Sequence, residues 1–196
     1  MKIASRLATL IAALCFAGTA QATTITFEDI GQIDGVVDLS SHPGYQGLNW
    51  NSTLDTVDLG TTVFFWSGTG PAHSGRQAVL NNNGGSGVII GSASSFVFNE
   101  VWLKSWFGSA DGSLGTITGL LAGNQVFQNS FVVSSAWQDI IAGAQTIDTL
   151  IIQTGGIFLI DDLTINGFSA SVPAPSALLL LGAGLAVVGR LRRKAR

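Results

Sequence analysis

The stretch IFLIDDLTING, residues 157–167, is the one whose reading decides the fold. It is rich in large apolar and β-branched residues and follows Gly155-Gly156, a turn signal, so it reads as a strand. In a regular strand alternate side chains share a face, which groups Ile157, Leu159, Asp161, Leu163 and Ile165. That face is apolar except for one carboxylate. An ionised carboxylate among apolar neighbours is costly unless a metal, a cation or hydrogen-bond donors receive it. Either Asp161 and Asp162 hold a metal, or they sit at a bulge or strand end and face water.

The same texture runs outward through residues 23–170. Gly, Ser, Thr and Asn mix with β-branched and aromatic residues, and helical periodicity is almost absent. Strands are expected in TTITFEDI (23–30), TVFFWSG (62–68), QAVLNN (77–82), SGVIIG (86–91) and SFVFNEVWLKSWF (95–107). More are expected in SLGTITGLL (113–121), QVFQNSFVV (125–133) and TLIIQT (149–154). Asn82-Asn83-Gly84-Gly85 and Asp111-Gly112 supply turns between them. The pattern predicts an all-β domain, an antiparallel β-sandwich or jelly roll. About 148 residues can bury roughly two thirds of the unfolded surface. Phe96 and Phe98 share a face, then the phase slips at Asn99-Glu100 to Val101 and Leu103. Such a slip predicts a bulge or bend.

The two ends differ from this body. Residues 1–22, MKIASRLATLIAALCFAGTAQA, have a charged start, an apolar core and a small-residue cleavage site ending at Ala22, the form of a secretory signal helix. A membrane or buried helix is the alternative, for which the apolar core is short. The single cysteine, Cys15, lies inside this segment, so the mature chain has no thiol chemistry. At the other end, Pro173 and Pro175 prevent a helix from continuing back into the body. Ala177 to Gly189 then form an apolar run, about 20 Å long as a helix at ~1.5 Å per residue, and Arg190, Arg192 and Arg193 head a cluster of cations. A run of that length is a weak, temporary stop in a membrane, with the cations on the cytoplasmic side and the body outside. A plain C-terminal anchor fits the same residues.

With the cations of both ends set aside, Arg76 and Lys104 alone face all twelve acids of the body. A domain so poor in Lys and Arg cannot neutralise phosphates, which excludes nucleic acid as a partner. Its acidity suits cation binding or solubility.

The order Pro-x-Pro, short apolar helix, Arg cluster resembles the PEP-CTERM sorting signal of Gram-negative bacteria that make exopolysaccharide. The resemblance implies residues 171–196 as a sorting signal, recognised at the inner membrane by an exosortase that cuts near Pro173-Ala174-Pro175. It implies secretion to the cell surface and association with exopolysaccharide or biofilm matrix. Ala174 stands where the family usually carries Glu. The body resembles a domain common among such proteins, through ITFEDI (25–30), GYQGLNW (44–50) and FLIDDLTING (158–167), and it is similar to carbohydrate-binding jelly rolls. In those lectin-like folds the last strand lies beside the first, which would bring Glu28 and Asp29 toward Asp161 and Asp162. Four such carboxylates would suit structural Ca²⁺, which takes oxygen ligands.

Sugar recognition uses ring faces with a few polar groups. Among the aromatics, Trp66 and Trp106 stand beside Gly/Ser-rich loops and are the candidate ligand-binding residues, with packing as their alternative role. Nothing favours catalysis. His42 and His73 lie in Gly/Pro/Ser loops without a zinc motif, and no Gly-x-Ser-x-Gly elbow occurs. The reading is a secreted, non-catalytic extracellular protein. Its alternatives are a glycan hydrolase with paired carboxylates and a self-associating adhesin whose edge strands pair between chains.

Overall fold

A computed structural model describes residues 22–63, 68–91 and 95–166, and these form strands, loops and three short 3-10 turns without an α-helix. In chain order the strands are β1 (Ala22–Ile25), β2 (Val36–Asp38), β3 (Leu48–Trp50), β4 (Leu54–Asp58), β5 (Gln77–Asn81) and β6 (Gly87–Gly91). They continue with β7 (Phe96–Ser105), β8 (Leu114–Leu121), β9 (Asn124–Val132), β10 (Gln138–Ile147), β11 (Thr149–Gln153) and β12 (Phe158–Asn166). A seven-stranded sheet runs β10-β7-β12-β5-β4-β2 with β1 also on β12, and a five-stranded sheet runs β3-β6-β11-β8-β9. All pairings are antiparallel. The expected signal and tail helices fall outside the described residues.

The strand that posed the question is not regular. Phe158 and Ile160 point into the core, and so do Leu163 and Ile165, so the inward phase shifts by one residue at Asp161-Asp162. Asp162 has a φ of 46°, a left-handed conformation that Asp tolerates better than most residues. Three steps along β12 from Asp161 to Thr164 span two along β7, from Trp102 to Glu100. One step from Thr164 to Ile165 then spans two, from Glu100 to Phe98, so a bulge at Asn99 restores the register. The slip expected at Asn99-Glu100 is therefore present, and it is matched by a second in β12. The expected common face of Leu159, Asp161, Leu163 and Ile165 does not exist: the bulge turns Leu159 and Asp161 outward and Leu163 and Ile165 inward.

The first strand does pair with the last, from Ala22 opposite Asn166 to Ile25 opposite Leu163. β5 takes the other half of the same edge, at Leu159 and Ile160. The bulge fills the gap between the two. Just after β1, Phe27 packs against Tyr45 and Trp50 with ring centroids 6.3 and 5.5 Å away. The Tyr45 hydroxyl donates to Asp29 Oδ1 at 2.6 Å, and burial with that contact pushes the phenol's pKa up. ITFEDI, GYQGLNW and the last strand thus pack or pair with one another.

The main core lies between the sheets, with Phe96, Phe98, Phe158 and Leu103 meeting Ile117 and Leu150. A second apolar cluster lies outside the larger sheet. There Leu59 and Ala72, from the chain that leaves β4 and returns as β5, cover Val57, Ala78, Leu80 and Leu159. This covering explains why β4 was not legible as a strand: all five of its residues are buried, so it shows no alternation. β10 was missed because Gly143 and Ala144, both at positive φ, interrupt it. Of the strand expected over 62–68, residues 64–67 lie outside the described residues, and 62, 63 and 68 are not in a strand.

Candidate functional site: an aromatic cluster beside an inter-sheet cleft

Residues 68–76 lie across the outer face of the seven-stranded sheet and are held there by acids and one lysine. Asp161, fully buried, accepts the Ser74 N–H at 2.9 Å on Oδ2 and the Asp162 N–H at 2.8 Å on Oδ1. Burial outweighs those donors and pushes its carboxyl up to about 7. Asp162 binds His73 Nδ1 at 2.6 Å and accepts from Ser74 Oγ at 2.7 Å. Glu28 Oε1 accepts the N–H groups of Arg76 and Gln77 at 2.8 and 2.7 Å. Arg76 in turn donates to Asp58 at 2.6 Å. Burial works against the Asp58 charge, but Arg76 and the N–H groups of Asp34 and Gly60 outweigh it and hold its pKa below the ordinary range. Lys104 Nζ donates to the carbonyls of Thr69 and Pro71 at 2.8 and 3.3 Å, and its burial pushes its pKa down.

Asp161 and Asp162, two of the four acids expected around calcium, both bind Ser74. Asp161, Asp162 and Glu28 hold the loop, while Asp29 accepts from Tyr45 and from Gln46 Nε2 at 3.2 Å. Among the described residues no group of three or more His, Cys, Asp or Glu side chains could hold a metal ion. The bulge aims Asp161 at backbone N–H groups, its own neighbour's and that of Ser74 in the overlying loop.

Holding this loop places His73 on Trp102. The rings stack with centroids 3.8 Å apart and planes 13° from parallel. Trp137 meets His73 edge-on at 5.9 Å, donates its indole N–H to Pro71 O at 3.1 Å, and has Lys104 Nζ 4.9 Å from its ring centre. All three rings keep some exposure, His73 with 29 % of its side chain. Asp139 stands opposite Trp102 in the β10–β7 register. Burial, and then the charge of Glu100, raise its pKa. Asp139 Oδ1 is buried and has no hydrogen-bond partner among the described residues.

Asp139 also borders a cleft of about 390 Å³ on the flank where the edges of the two sheets approach. Residues 128–131 of β9 and 139–141 of β10 line it, and Asn129 Nδ2 bridges the edges by donating to Ile141 O at 2.8 Å. Gln128, Asn129 and Ser130 are its polar β9 residues, and the Gln128 amide donates to Thr118 Oγ1 at 3.1 Å. Rings, amides and a carboxylate side by side are the groups that recognise a polyhydroxylated ligand.

The two tryptophans expected to bind ligand are not among these residues. Trp106 is 7 % exposed and sits with Leu159 and Leu80 in the outer apolar cluster, with Phe107 edge-on at 5.1 Å. Trp66 lies outside the described residues, as do Pro173, Ala174, Pro175 and the terminal arginines; Ala22 opens β1. The cluster that does form was signalled in part. Once Val101 and Leu103 are inward, Trp102 must face outward on a strand flanked on both sides.

No family model and no curated protein sequence matches this chain. Solved structures do. The tandem family 22 carbohydrate-binding modules of Paenibacillus barcinonensis Xyn10C are 12 % identical with a TM-score of 0.44, covering 81 % of this chain and 49 % of theirs. A variant of the second family 29 carbohydrate-binding module is 13 % identical with a TM-score of 0.40, covering 78 % and 99 %. TmCBM61, in complex with β-1,4-galactotriose, is 13 % identical with a TM-score of 0.35, covering 67 % and 99 %.

Proposed function

We propose that this protein is a non-catalytic glycan-binding module, exported and displayed outside the cell. The observation that carries the binding reading is the His73–Trp102–Trp137 cluster: three partly exposed rings locked on one sheet face beside a cleft bearing amides, a hydroxyl and a carboxylate. Aromatic side chains left accessible in a β-sandwich, two beside or within strands and one on a loop held by Glu28, Asp161 and Asp162, form a rigid surface on which a sugar ring can stack. The two adjacent aspartates of the last strand serve that rigidity, since Asp161 is fully buried and both are bonded to residues 73–74. A paired-carboxylate hydrolase needs two acids across a substrate cleft, and these two neighbours in one bulge are not so placed.

Export and delivery rest on the ends of the chain. The signal-like residues 1–22 and the Pro-x-Pro, apolar run and Arg cluster of residues 171–196 support secretion, an exosortase as processing partner, transient residence in the inner membrane and a final place in exopolysaccharide or biofilm matrix. A screen of the full chain on a glycan array, alongside Trp102→Ala and Trp137→Ala, tests the binding reading. Retention on specific glycans, lost in both variants with the fold intact, is the expected result. Binding unchanged in both variants would remove the cluster from the account.

A further inference from the structure

The edge of the five-stranded sheet is unguarded. β9 ends that sheet, with β8 as its paired strand among the described residues. Its nine residues, Asn124–Val132, hold no charge and no proline, the devices that usually keep an edge strand from pairing with another chain. The uncharged stretch is longer still, for no charged residue stands between Asp111 and Asp139. Val133 N–H donates to Ser113 O at 3.0 Å, and the β8 register is unbroken from Phe127 to Val132, so Phe131 and Asn129 bond to β8 in turn. Gln128, Ser130 and Val132 alternate with them and turn their N–H and C=O groups to the open edge. A bulge at Val126 ends the regular ladder. Leu114, Val126, Val132 and, on β10 across the cleft, Ile141 are exposed apolar side chains around that edge.

Open N–H and C=O groups fit an extended chain, and the sequence identifies which one. Around Asn129 the strand reads VFQNSFV (126–132), nearly the same in both directions. Antiparallel pairing of two copies about a two-fold axis at Asn129 sets Val126 opposite Val132, Phe127 opposite Phe131 and Gln128 opposite Ser130. Each pair then occurs twice, as an isologous interface requires. Apolar meets apolar, polar meets polar, and the Gln128–Ser130 pairs use backbone groups that face the open edge. Charge favours the same edge. The body sets Arg76 and Lys104 against twelve acids, so two copies repel, and they repel least across this uncharged hairpin. We infer that the protein forms a two-fold dimer through β9, joining two five-stranded sheets edge to edge. This pairing goes beyond glycan binding and does not depend on it, since the ring cluster lies on the other sheet.

The test is sedimentation equilibrium of the full chain, in a detergent that sequesters the apolar run of residues 177–189. The expected result is a reversible monomer–dimer equilibrium. Gln128→Glu with Ser130→Glu, both exposed positions, sets like charges opposite each other twice and should raise the dimer dissociation constant about tenfold. Gln128→Glu with Ser130→Lys sets unlike charges opposite in this register and should restore the dimer. If the first variant does not fold, Ser130→Pro carries the same test, because it removes an N–H turned to the open edge and none from the β8 ladder. A monomer at every concentration, or growth beyond two copies, would overturn the proposal. So would association equally strong in the wild type and in every folded variant.

Discussion

Asp161 holds residues 73–74 against the sheet, and its proton affinity shows how. Burial lifts the carboxyl from an ordinary 3.8 to about 7, although the N–H groups of Ser74 and Asp162 favour its charge. In the unfolded chain it titrates near the ordinary value. Between the two values the folded protein holds a proton that the unfolded chain has released, so stability falls as pH rises, by about 1.4 kcal/mol per unit. From pH 5 to pH 8 the summed loss is about 3 kcal/mol in order of magnitude. Asp161→Asn cannot ionise and removes this slope. Its amide oxygen still accepts one of the two N–H groups, while its NH₂ opposes the other, a cost of about 1 kcal/mol that does not depend on pH. Urea unfolding of both proteins at intervals from pH 5 to pH 8 isolates the effect, because groups common to both cancel in the difference. The difference should move in favour of Asp161→Asn by about 3 kcal/mol across that range. A constant difference would mean that Asp161 is ionised throughout, and the argument from its burial would fail.

Three further outcomes are expected. Phe158→Ala, emptying a fully buried position where the sheets meet, should cost about 3–5 kcal/mol in urea unfolding. Gly119→Ala would set a Cβ 2.1 Å from Cε1 of Phe127 and 2.7 Å from Cγ2 of Ile147, and should lower stability by about 1–3 kcal/mol even though the change is one methyl group. Intact mass of protein recovered from an exosortase-bearing host should show loss of the residues before Thr23 and of those after the Pro173–Pro175 region, with the tail kept in an exosortase-free host.

How much of this was legible in the sequence follows from physical causes. Strands with one buried face, such as β8 and β7, announce themselves by alternation, and the slip at Asn99-Glu100 was visible because Phe98 and Val101 cannot share a face in a regular strand. β4 was hidden because the chain between β4 and β5 covers its outer side. The role of Asp161 was half legible: its oddness among apolar neighbours was plain, but the partner that resolves it is a backbone N–H far away in sequence, at Ser74. Backbone donors leave no trace in residue type. The ring cluster was harder still. Trp102, Trp137 and His73 come from two strand regions and a loop, and the pattern within each segment says outward at most, not together. The burial of Trp106 was not legible, because its Gly-rich neighbours suggest an exposed loop while its side chain joins the outer apolar cluster.

The account rests most on the claim that the Trp102–Trp137–His73 surface is where a glycan lands. Nitrogen-15 NMR of the indole N–H groups of the full chain, titrated with the β-1,4-linked hexasaccharides of glucose, glucosamine and N-acetylglucosamine, observes that surface directly. Signals of Trp102 and Trp137 should shift with at least one of them, while those of the buried Trp50 and Trp106 stay in place. Shifts confined to Trp50 or Trp106, or none at any of these tryptophans, would contradict it.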